Sequence, residues 1–130
     1  MTLSDELDPI EWLERTKHDL GTAELLLKQS DYYDVVIYHS HQCVEKILKW
    51  YLINQNIQFP FIHDIVRLLV LCSATMDVET LKDDVSALQE FSPRTRYPYG
   101  DSLALEDAKQ SLDIARRIYR LFVGEIKPTT

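Results

Sequence analysis

His41, Glu45 and Lys49 are spaced four residues apart, so on a helix they stack along one face, with Gln42 and Lys46 forming an adjacent row. Two chemistries are open to this set. A His and a Glu one turn apart are half of a metal site, and His63 could supply a third ligand. The plainer reading is a solvated or partner-facing ladder of ion pairs. Spacing favours the ladder: there is no H-E-x-x-H, no second His lies one turn away, and His39 and His41, two apart, diverge on a helix. No metal is expected.

Further polar groups lie downstream. His63-Asp64 follows a turn at Pro60. Asp64 beside a helix start suits the helix dipole, and His63 could cap or pack there. Alternatively His63 turns toward the polar row and exchanges a proton with Glu45; composition favours the local role. Arg94, Arg96, Tyr97 and Tyr99 interleave cations and aromatic rings in a proline-rich stretch. Arginine forks grip phosphate and tyrosine rings stack on bases, but the same residues could lock helix ends together, with Arg96 paired to an acid such as Glu45. Residue types leave this open. Arg116, Arg117 and Arg120 read as a solvated helix face. There is no G-x-S-x-G, no phosphate-cradling glycine run and no acid/base carboxylate pair, so no catalytic residue is assigned.

Five helical segments must position these groups. Asp8-Pro9-Ile10-Glu11 carries an N-cap, a proline for the first helical position and a capping-box acid. Leu13, Thr16, Leu20, Ala23 and Leu27 then recur at helical spacing. A second helix is expected from Ser30-Asp31 to about Gln55. Its apolar residues cover much of the circumference, which makes it the central helix and argues for a second copy to bury the excess. A third is expected over roughly His63 to Ser73 and a fourth from Asp77 until Ser92-Pro93 breaks it. The fifth runs from about Leu103 to Val123, closed by Gly124 and Pro128. The fold class is all-α, an up-and-down bundle of four to five helices in a single domain over residues 1–130.

Composition narrows the classes. The chain has 130 residues, 45% hydrophobic, 27% charged and only 3 Gly, as in an ordinary globular domain. A net charge of −7 argues against a non-specific nucleic-acid coat. No apolar run is long enough to span a bilayer, and the acidic N-terminus does not read as a secretory signal. Cys43 and Cys72 each fall in an apolar helical pattern and are expected as buried free thiols. The expectation is a cytoplasmic protein.

Taken together, these pieces resemble the HEPN family of small helical domains, from Trp12 to about Phe122. The resemblance rests on an early helix with Trp12, Asp19, Ala23 and Leu27, and on Gln42-Cys43-Val44-Glu45-Lys46-Ile47-Leu48-Lys49, which is similar to a Gln-x-x-Glu-Lys-x-x-Lys helix. His63-Asp64 followed by Leu68 and Arg96-Tyr97-Pro98 complete it. It implies a helical bundle, often a homodimer, and either nucleotide binding beside a minimal nucleotidyltransferase or RNA cleavage. Cleaving members carry an Arg followed, after four to six intervening residues, by His. Here Tyr99 to Leu103 holds no histidine, and none follows His63.

That departure directs the expectation to a non-catalytic binding module with no cofactor. Its ligand would be a nucleotide or a nucleic-acid end, presented to a separately encoded nucleotidyltransferase in a toxin–antitoxin-like pair. Arg96, with Arg94, would grip phosphate. Glu45, Lys46, Lys49 and His63 would line the same side, and Tyr97 or Tyr99 would meet a base. The alternatives are an RNase toxin using His63 as a displaced histidine and a structural dimerisation or docking bundle.

Overall fold

The computed structural model describes residues 8–96 and 103–125, with backbone alone for 92–96 and 125. Five α-helices account for it: α1 Pro9–Gln29, α2 Tyr33–Asn54, α3 Ile65–Cys72, α4 Lys82–Arg96 and α5 Leu105–Glu125. There is no strand among the described residues.

Local chemistry sets the boundaries. Asp8 Oδ1 accepts the Glu11 amide at 2.9 Å and Pro9 opens α1, as the sequence predicts. Ser30 belongs to α1 rather than α2: its amide and its hydroxyl both donate to Leu26 O, closing the last turn, so α2 starts three residues later at Tyr33. The end of α2 is a left-handed stop at Asn56, φ 56°. The Ile57 amide donates to Leu52 O and the Asn56 amide to Ile53 O, a Schellman arrangement. The chain then leads without regular structure to α3, with Phe59 buried as a plug.

Two expected helix starts move. His63 precedes α3, because Asp64 is the N-cap, its Oδ1 accepting the Arg67 amide at 3.1 Å. Asp77 accepts the Glu79 amide and opens a 3-10 turn, Glu79–Leu81, before α4 begins. The expected break at Ser92-Pro93 is absent: α4 runs through Pro93 to Arg96, giving up the one backbone donor that proline lacks.

Packing fixes directions. Trp12 lies under Lys49 while Asp19, seven residues on, meets His39, so α1 and α2 are antiparallel. His63 meets Glu45 and Thr75 meets Tyr51, so α3 runs alongside α2 in the same direction. The Val66 amide donates to Gln89 Oε1 on α4 at 3.3 Å. α5 lies against α1 through Arg116–Glu24 and against α4 through Arg117–Asp84. Around α2, the core gathers Trp12, Ile47, Leu48, Leu68, Leu88 and Phe122, and a smaller cluster joins Ala23, Ile37, Phe91 and Leu112. More than half of the 22 residues of α2 are buried within this one chain. The surrounding helices cover most of its apolar circumference, with Tyr38 left exposed.

On α1 the deepest residues are Trp12, Thr16, Asp19 and Ala23, while Leu13, Leu20 and Leu27 are only half-buried. The buried stripe is thus rotated toward a polar residue, Asp19. Among the described residues no helix is long and apolar enough to cross a membrane.

Candidate functional site

Glu45 and Lys49 project from the middle of α2, one turn apart, and both are buried, at 3% and 1% exposure. Lys49 Nζ donates to Glu45 Oε2 at 2.9 Å and sits 5.6 Å from the centre of the Trp12 ring, a cation–π distance. The sequence reading made this row a solvated ladder. Burial corrects it: Trp12 of α1 and the return segment close over the pair.

His63 reaches the same oxygen. Its Nδ1 donates to Glu45 Oε2 at 2.9 Å, the tautomer a carboxylate acceptor requires. The side chain is 58% exposed, so the imidazole joins a buried ion pair to solvent. Of the two roles open to His63, the structure has the one directed at Glu45. Glu45 Oε1 is buried without a hydrogen-bond partner, as is Trp12 Nε1; Oε2 thus takes both contacts and Glu45 is held by them. When His63 is protonated, the trio carries a net positive charge whose exposed member is the imidazole.

Phe61 stands beside it. Residues 61–63 form the non-helical approach to α3. The Phe61 and His63 rings meet edge-on, 5.3 Å between centroids at 82°, with Phe61 64% exposed.

Lys46 is not part of this group. Its Nζ donates to Asp19 Oδ2 at 2.6 Å, and His39 Nδ1 bonds Asp19 Oδ1 at 2.8 Å. One residue on from Glu45, the helix has turned by about 100°, enough to direct Lys46 into the α1–α2 seam. Glu45, Lys49 and His63 are thus brought together, and Lys46 is turned away from them. His41 is buried on the same row.

Arg94 and Arg96 lie in the last turn of α4. Beyond Gln89, whose side chain accepts the Val66 amide, α4 continues for about 10 Å to Arg96. Tyr97 and Tyr99 lie outside the described residues. On α5, Arg116 pairs with Glu24 and Asp113, and Arg117 with Asp84, which neutralises most of that basic face.

Cys43 and Cys72 are free and buried. Burial pushes both thiols up, Cys72 to about 12 and Cys43 further, with Asp19 adding to the rise. Neither is poised as a nucleophile. A groove between α3 and α4 is floored by Val66, Leu69, Val70, Met76 and Val78 and edged by polar residues that include Asp77, Glu79 and Lys82. Among the described residues, no cluster of three His, Cys, Asp or Glu could hold a metal.

Phe61, Trp12 and Asp19 are the additions to the site and its flank. Only Phe61 had a local signal, an aromatic two residues before a histidine in a segment opened by proline.

The fold and site define a small all-helical domain in which the second helix carries a buried Glu–Lys pair capped by a histidine from the return loop. The chain belongs to the HEPN domain family, whose description matches residues 10–126. It is 30% identical, over 89% of its length and 86% of the relative's, to a Methanocaldococcus jannaschii protein named "Putative toxin MJ1304". Among solved structures it is similar to TT1696 of Thermus thermophilus, with TM-score 0.78, 23% identity, 97% of this chain and 100% of that one. It is also similar to ST0689, an archaeal HEPN homologue, with TM-score 0.76, 24% identity and coverage of 93% and 99%. A HEPN domain protein of Thermotoga maritima gives TM-score 0.71 at 22% identity, covering 88% and 96%. These likenesses establish the fold.

Proposed function

We propose that this protein is a non-catalytic nucleotide-binding module whose ligand phosphate docks on His63, with Arg96 as the second cation. The observation that carries this is the Glu45–His63 bond: a carboxylate buried against Lys49 fixes Nδ1 and leaves Nε2, on a largely exposed ring, to face solvent. In its protonated form, an imidazole whose Nδ1–H is held by Glu45 presents Nε2–H as a charge-assisted donor, and with an arginine as second cation this is a phosphate-recognition chemistry. The ligand is a nucleotide or a nucleic-acid end, presented to a separately encoded nucleotidyltransferase in a toxin–antitoxin-like pair. A homodimer and a cytoplasmic location are part of the same reading.

Calorimetric titration with ATP, ADP, AMP and GTP tests it. Saturable binding is expected, weakened at least about tenfold by Arg96→Ala, the scale of one charged hydrogen bond, with the helical circular-dichroism signal unchanged. No binding by the wild type, or unchanged affinity in Arg96→Ala, defeats the assignment.

A second reading has its own support. A carboxylate-held, solvent-facing imidazole is also the geometry of a general base, and the M. jannaschii relative is named a toxin. In that reading His63 serves RNA cleavage.

A further inference from the structure

We infer that Phe61 is the nucleobase-stacking residue of the site, so that the ligand is recognised through its base as well as its phosphate. This rests on the phosphate-docking reading above and adds to it a determinant absent from the residues singled out by sequence.

Phe61 lies in the return segment that presents His63, two residues earlier, with its ring against the imidazole. The Phe61 ring is largely exposed and meets the His63 ring at a right angle, while the Nδ1 of that neighbour is held by Glu45. An exposed aromatic ring and an imidazole held by Glu45, a phosphate donor through Nε2–H when protonated, thus lie side by side, 5.3 Å between ring centres. A nucleotide offers the matching pair of features, a flat base and a phosphate set off from it by the ribose. Stacking needs only an aromatic face and is tolerant of base identity, so discrimination among bases should be weak. Phe61 contrasts with Phe59, two residues before it, which is 1% exposed and serves the core, whereas Phe61 is 64% exposed.

The experiment compares ATP with inorganic triphosphate, which carries the phosphates without a base, on wild type, Phe61→Ala and Phe61→Trp. Wild type is expected to prefer ATP by about five- to a hundredfold, the effect of one base–aromatic stack. In Phe61→Ala that preference collapses toward one, and in Phe61→Trp it is retained. His63→Ala weakens both ligands. If Phe61→Ala keeps the wild-type preference, or if wild type binds both ligands equally, the stacking role is overturned and phosphate docking stands. If wild type binds neither, the phosphate reading fails and the inference with it. A change in oligomeric mass by light scattering in Phe61→Ala, with ATP preference intact, assigns the ring to a protein contact and also overturns the proposal.

Discussion

Lys49 donates to Glu45 Oε2 at 2.9 Å with both side chains almost wholly buried. Each charge depends on the other for its tolerance inside the bundle. Removing one leaves an uncompensated buried ion, whereas replacing both with apolar groups of similar volume removes the desolvation cost as well. Lys49→Met is therefore expected to destabilise the protein by about 3–5 kcal/mol, and the double variant Glu45→Leu/Lys49→Met by much less. Urea denaturation of wild type, both single variants and the double variant checks this. A double variant as unstable as Lys49→Met would show that shape around Trp12, not charge balance, governs the site.

Lys46 provides a control one residue from Glu45. It completes the Asp19–His39–Lys46 cluster across the α1–α2 seam, away from His63. Lys46→Met is expected to lower stability by about 1–3 kcal/mol, as for loss of a charged hydrogen bond in a partly buried setting. Affinity for ATP should stay within about twofold of wild type. A large loss of affinity with stability preserved would return Lys46 to the ligand site.

Much of this was legible from spacing, and the failures share one cause. Asp8, Pro9 and Glu11 announced α1 because capping is local. Glu45 and Lys49 were placed on one face correctly, because four residues make one turn. Their burial was not legible, since it depends on Trp12 and on a loop that returns from the far end of α2. The same gap separated Lys46 from its neighbours: periodicity assigns a residue to a face but does not say which helix covers that face. His63 was read as either a local cap or a partner of Glu45. Asp64 took the cap, and the start of α3 after it freed His63 for the second role. The arginine–tyrosine segment was legible as chemistry, yet only its first turn, on α4, falls within the described residues.

The buried thiols give a pH signature. Cys43 and Cys72 have folded pKa values above that of an unfolded thiol, near about 8.5, because burial disfavours the thiolate. Above that pH the unfolded chain has released protons that the folded chain retains, so stability falls as pH rises, by about 1.4 kcal/mol per pH unit for each thiol. Below about pH 8 the thiols contribute no slope. Cys43→Ala is expected to make the decline between about pH 9.5 and 11 shallower by about 1.4 kcal/mol per pH unit, read from urea midpoints. An unchanged slope would mean that the Cys43 thiol ionises as readily folded as unfolded.

The two readings of His63 part over RNA. As a general base, its Nε2 would take the proton from a ribose 2′-hydroxyl. The 2′-oxygen would then attack the adjacent phosphorus, leaving a 2′,3′-cyclic phosphate and a 5′-hydroxyl, with no metal required. A second group must protonate the departing 5′-oxygen, and no other histidine follows His63 in the chain. Glu45 is buried and engaged by Lys49 and His63, so it is poorly placed to serve. The expected outcome is that single-stranded RNA stays intact with the protein in excess chelator, while ATP still binds. Cleavage that leaves 2′,3′-cyclic phosphate ends, and that vanishes in His63→Ala purified in parallel, would make His63 catalytic. Its buried partners would then be the groups that orient a base rather than a phosphate ligand.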